Sequence, residues 1–343
     1  MSPTQILARI FTLVAALSMS GCYVLQAARG QLAISMRREP IEQAIDNPAT
    51  PVGVQRRLRL VADARRFASR ELGLPDNDTY RTYVDLHREF VVWNVFATDR
   101  YSVEPHRWCF PIAGCVVYRG YFKKSAAQRY ALHTRMRGDD ATVAGSAAYS
   151  TLGHFDDPVL STMLRWSDAQ IAATLFHELA HQVLYVPNES AFDEAFAMVV
   201  EAEGTRRWLE HRDPAALAKW RLARLRSEAF TDLLLAERER LRALYAQGTP
   251  GMTLYLAKQR EFGRLKYDYE LLKRRWGGYS GYDTWFDRAL NNADLVSAAT
   301  YRSCVPGLES LLHSVGDDLP SFYDAAKKLD ADGRQKVCDD SAE

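Results

Sequence analysis

The apolar positions Val54, Leu58, Val61, Ala62 and Ala68 recur at helical spacing, with Arg65 in the same stripe. That period predicts an arginine-rich amphipathic helix over residues 51–73, its apolar face turned to a core. Upstream, residues 23–47 read as helical, with Pro40 as an interruption. Residues 80–101 and 112–124 are richer in Val, Tyr, Phe and Trp and read as strands, and Ala144 to Leu152 reads as another after a turn at Asp139-Asp140. Residues 168–176 contain no Gly or Pro and open a helix that ends near Tyr185, before Pro187 and Asn188. A second helix starts at Ser190 and runs to about Leu209. Two long helical stretches, 214–247 and 253–276, flank Gly248-Thr249-Pro250-Gly251. Their apolar residues (Phe230, Leu234, Leu241 and Leu244; then Phe262, Leu265, Tyr269, Leu272 and Trp276) follow a seam period, which predicts an antiparallel hairpin with coiled-coil-like packing. A link at 277–282 leads to a helical run from Asn291 to about Tyr301, continued by Val305 to Leu312. The expectation is an α-rich α+β fold: one domain over 22–343, with a small sheet and the long hairpin at 214–276.

Charge adds little. The chain has 44 Lys and Arg against 43 Asp and Glu, a net +1, so nothing global points to nucleic acid. The first residues are more telling. Arg9 is the only charge before an apolar stretch from Ile10 to Met19, too short to span a bilayer and suited to a signal-peptide core. It ends in Met19-Ser20-Gly21-Cys22, which resembles the lipobox of bacterial lipoproteins. On that resemblance residues 1–21 are removed and Cys22 becomes the lipidated first residue. Tyr23, and no Asp, follows it, which favours the periplasmic side of the outer membrane. Four further cysteines, Cys109, Cys115, Cys304 and Cys338, suit an oxidising compartment. Three pairings are possible, of which Cys109–Cys115 and Cys304–Cys338 is favoured because the first brackets a short loop and the second ties the last helical segments.

Candidate chemistry centres on His177-Glu178-Leu179-Ala180-His181. Residues four apart share a helix face, so His177 and His181 can offer two imidazoles to one zinc ion while Glu178 serves as general base. The short turn after this helix brings the second helix back against it. A Glu there can supply a third ligand and leave the fourth position open, the catalytic arrangement for zinc. Glu189, Glu194 and Glu201 are the candidates.

The run Asp193-Glu194-Ala195-Phe196-Ala197 followed by Glu201 resembles a segment of the gluzincin aminopeptidases. The resemblance implies a zincin-like core, Glu194 as third zinc ligand and Glu201 as support for a ligand histidine. The connection from His181 is shorter here than in that group, which keeps Glu189 and Glu201 as rivals. The wider chain resembles a family of Gram-negative bacterial lipoproteins described as zinc-dependent aminopeptidases. It does so at residues 23–32, at Tyr118-Arg119-Gly120-Tyr121-Phe122, at Tyr149–Gly153 with Asp156-Asp157-Pro158, in the HELAH segment, and at Asn291-Asn292-Ala293 with Tyr301. The expected partner is a peptide, bound by strand addition along Ser150, Thr151, Leu152 and Gly153, with Asn291 and Asn292 as further main-chain contacts or helix caps. His154 is read as a non-ligand. The oxyanion donor is sought among Tyr301, Tyr282 and Tyr279, Tyr301 first. Alternatives are an endopeptidase, or a non-catalytic scaffold or binding lipoprotein with structural zinc.

Overall fold

The computed structural model describes Tyr23 and residues 26–110, 114–148, 156–187, 189–210, 212–296 and 304–339. Helix α1 spans 26–35. It is followed by β1 (Glu39–Pro40), α2 (Ile41–Asp46), α3 (Val52–Glu71), β2 (Thr82–Val84), β3 (Val92–Thr98), β4 (Trp108–Phe110), β5 (Gly114–Val116) and β6 (Arg119–Tyr121). Then come α4 (Lys124–Met136), β7 (Asp140–Ser146), β8 (Val159–Leu160), α5 (Asp168–Ala180) and α6 (Ser190–Glu210). The chain closes with α7 (Pro214–Gln247), α8 (Met252–Arg275), α9 (Val305–Ser314), α10 (Leu319–Lys327) and α11 (Ala331–Asp339). The fold is helix-rich with small sheets.

Three apolar clusters organise it. The largest joins α3, α5, α6, α9 and α10 with β2 and β8. At its centre Phe176 of α5 meets Phe67 and Trp208, and Phe196 of α6 stacks on Phe322 with ring centroids 5.2 Å apart. A second cluster packs α4 on the antiparallel sheet β6-β3-β7. A third lies along the α7–α8 hairpin, where Phe230, Leu234, Leu241, Phe262, Leu265 and Tyr269 are buried as the seam period requires. Helix α7 begins in the first cluster at Leu217 and, at about 1.5 Å per residue, runs roughly 50 Å to carry the third. The hairpin is tied to the sheet by polar contacts: Lys258 Nζ donates to Arg100 O at 2.7 Å, and Arg238 pairs with Glu104 at 3.1 Å.

Arg65 earns its place in an apolar stripe. Its buried guanidinium donates to Thr79 O (3.0 Å), Pro75 O (2.7 Å), Asn77 O (3.0 Å) and Ser69 Oγ (2.6 Å), so it organises the 75–79 loop. Disulfides join Cys109 to Cys115, opposite one another on β4 and β5, and Cys304 to Cys338, linking the start of α9 to α11.

Some local expectations shift. Residues 124–136 form α4, where no helix was expected; its buried face is Ala127, Ala131 and Thr134, too small to mark a strong apolar period. Strand β7 starts at Asp140, right after a left-handed turn at Gly138 (φ 100°), and ends at Ser146. Helix α5 stops at Ala180, not near Tyr185. Among the described residues no helix is long and apolar enough to cross a membrane.

Candidate metal centre

Helix α5 is fixed at its start by a capping box: Gln170 N donates to Ser167 Oγ at 3.2 Å, and Ser167 N donates back to Gln170 Oε1 at 3.1 Å. Its apolar face, Ile171, Ala172, Leu175, Phe176 and Leu179, is buried, which leaves His177 and Glu178 half-buried on the other side and His181 buried at the helix end. His181 caps the helix, and Gln182 after it receives Asn77 Nδ2 (2.6 Å) and donates to Thr79 Oγ1 (3.2 Å). The return to α6 is set by Asp193, whose Oδ1 accepts from Val186 N at 2.8 Å. Helix α6 then lies close along α5; at Gly204 an added Cβ would stand 2.7 Å from Leu72 Cδ1 and 3.1 Å from Phe176 Cδ2.

This packing brings together three donor atoms. His177 Nε2 and His181 Nε2 are 3.2 Å apart, and Glu194 Oε2 lies 3.3 Å from the first and 3.7 Å from the second. Four ligands placed tetrahedrally about 2.0–2.1 Å from one zinc ion stand about 3.3 Å from each other. The triangle therefore has the edge lengths that a single zinc ion asks of two imidazoles and a carboxylate, and the donor types suit it. The electrostatics agree. Burial pulls the His177 pKa down, but hydrogen bonding to Glu194 and Glu201 outweighs it and holds the group up at about 10. Burial pushes Glu194 up, but the two histidines outweigh it and hold the carboxyl down at about 2. The cluster favours a positive charge at its centre, and without a metal a proton takes that place.

Around the triangle, each histidine has a carboxylate neighbour. Glu201 Oε2 accepts from His177 Nδ1 at 3.0 Å, so Nε2 is the nitrogen left to a metal ion, or to a proton shared with Glu194 in its absence. The buried Asp193, missed from the sequence, is charge-coupled to His181; among the described residues its Oδ2 and His181 Nδ1 have no hydrogen-bond partner. Burial raises its carboxyl to about 6. Glu189 is placed elsewhere, gripped by Arg334 of α11 at 2.6 and 2.7 Å.

Two phenols also feel the charge of the site. Tyr80, buried and in left-handed backbone (φ 62°), has its pKa raised well above normal by burial and then by the Glu178 charge. Tyr118, between β5 and β6, is raised by burial and then by Glu194, with Glu178 also contributing. Both stay protonated donors at neutral pH. The sequence hint for Tyr118 was its place in the Tyr118–Phe122 run; Tyr80 had none. Tyr282, by contrast, stacks on Phe230 at 4.0 Å in the hairpin cluster, and Tyr279 lies under Arg226 at 4.1 Å. Asn291 caps a short 3-10 turn, and Asn292 is buried with Nδ2 on Arg100 O (3.0 Å) and Ser102 O (2.8 Å), so both side chains are engaged within the protein. Ser150, Thr151, Leu152, Gly153, His154, Tyr301 and Cys22 lie outside the described residues.

No curated protein and no solved structure matches the chain. One family model does, over residues 22–337, the whole of the α5–α6 site included; the chain belongs to the family described as "Putative aminopeptidase".

Proposed function

We propose that this protein is a zinc-dependent peptidase, an aminopeptidase by its family, anchored through Cys22 on the periplasmic side of the outer membrane. The observation that carries the metal reading is the donor triangle of His177, His181 and Glu194, with edges of 3.2, 3.3 and 3.7 Å. These residues would hold the ion, with Glu201 fixing the tautomer of His177. Zinc in such a site supplies Lewis acidity toward a carbonyl and makes water easier to deprotonate.

The chain's own residues supply the rest. Glu178, half-buried and next to His177, takes the proton from the attacking water and hands it to the leaving amine. Tyr118 and Tyr80 are neutral phenols coupled by charge to Glu178, and Tyr118 joins Tyr301 as a candidate donor to the oxyanion. A peptide bound along residues 150–153 would add its backbone to that segment. The test is a peptide-library digest read by mass spectrometry. Stepwise loss from N-termini supports an aminopeptidase; internal cuts would make it an endopeptidase, and no turnover by a zinc-loaded sample would leave a non-catalytic role.

A further inference from the structure

Helix α1 has two opposite stripes. Gln26, Gly30 and Ile34 face inward: Gln26 Nε2 donates to Gly120 O at 3.2 Å, a Cβ on Gly30 would collide with the Phe122 ring at 2.3 Å, and Ile34 is 2% exposed. Two residues on, about 200° round the helix, Ala28, Leu32 and Met36 face out. Leu32 is 59% and Met36 78% exposed, and Met36 N donates to Leu32 O at 2.9 Å, continuing the helical turn. Beside this apolar row stand the exposed Arg29 and Arg37. Residues 23–38 hold three Arg and no Asp or Glu.

The chain reaches this helix without a spacer. Tyr23, one peptide bond after Cys22, is already part of the fold: its ring is edge-on to Tyr121 at 5.7 Å, and Arg119 lies 4.3 Å from it and 4.7 Å from Tyr130. A lipid on Cys22 would thus be joined directly to a folded surface, with no linker to let the domain swing away.

We propose that the outer face of α1, Ala28, Leu32 and Met36 with Arg29 and Arg37, docks on a leaflet that carries anionic phospholipid headgroups. The inference rests on the lipid anchor at Cys22. An apolar row between arginines is the make-up of a helix that lies in the plane of an interface, and a basic face beside a lipid anchor adds attraction to anionic headgroups.

The test uses the full chain, made in a Gram-negative host and reconstituted into vesicles of phosphatidylethanolamine with phosphatidylglycerol. A polarity-sensitive dye is placed at Leu32→Cys, and in a second protein at Leu225→Cys, an exposed position on α7 (63%). The dye at 32 should shift to the blue on these vesicles, less so on pure phosphatidylcholine, and less so with Arg29→Glu and Arg37→Glu; the dye at 225 should not shift. Equal, water-like emission at both positions would overturn the docked face. A shift at 32 without vesicles, growing with protein concentration, would give the face to a second copy of the chain and also overturn it. The intact mass of the N-terminal peptide reads the anchor separately: an unacylated Cys22 refutes the anchor whatever the dye reports.

Discussion

Replacing Glu201 with Ala should weaken zinc binding without abolishing it. In the structure its Oε2 accepts from His177 Nδ1 at 3.0 Å, and that bond holds a proton on Nδ1, so that Nε2, the atom that faces Glu194, is the one given up to the ion. Without the carboxylate, His177 loses both the tautomer bias and a source of basicity. Loss of such a partner lowers metal affinity about 10–100-fold, or about 1.4–2.7 kcal/mol. The Glu201 side chain is 31% exposed, so water can replace part of the bond and the lower end of that range is expected. Glu194→Ala removes a donor from the triangle and should strip the ion under mild chelation. Competition titration against a zinc indicator, with circular dichroism to show both variants fold, gives the two affinities. If Glu201→Ala loses metal more completely than Glu194→Ala, the roles given to the two carboxylates are reversed.

Three further outcomes follow from the same geometry. Because His177 is held near pKa 10 without metal, zinc binding at pH 7–8 should release about one proton and weaken about tenfold per pH unit on acidification; calorimetry in two buffers of different ionisation enthalpy measures it, and a buffer-independent heat would contradict it. Glu189→Gln should leave zinc affinity unchanged, since Glu189 pairs with Arg334 and not with the ion; lost affinity in the same titration would make it a ligand. Buried Glu237 has its pKa raised from 4.5 to about 7, by burial and only partly offset by Arg240. A raised folded pKa means stability that is full below about pH 4.5 and lost as pH rises through 7. Glu237→Gln should therefore stabilise the protein by up to about 3 kcal/mol at pH 8 and do nothing at pH 4, read as melting temperature against pH; equal effects at both would refute it.

Much of the framework was legible because it is periodic. The i, i+4 spacing of His177 and His181 and the seam from Phe230 to Trp276 each follow from local geometry, and α6, α7 and α8 begin and end within a few residues of their expected bounds. The less legible parts are those decided far along the chain. Tyr118 and Tyr80 come under the charge of Glu194 and Glu178 only through the packing of the sheet and the 75–81 loop. Asp193 reads in sequence as an ordinary acid in the first turn of a helix, yet it is 3% exposed and turned to Val186 and His181. Helix α4 hides behind alanines. Arg65 stood in an apolar stripe for a reason visible only once the loop it holds was in place.

The central claim, that these residues form a hydrolytic zinc site, is tested most directly by Glu178→Gln. Purified wild type and variant are compared for zinc by elemental analysis and for peptide hydrolysis on the same substrates. Because Glu178 is absent from the donor triangle, wild type and variant should each hold one zinc per chain, while hydrolysis by the variant falls to background. Undiminished hydrolysis by the zinc-loaded variant, or a wild type that binds no zinc and still cleaves, would contradict the account.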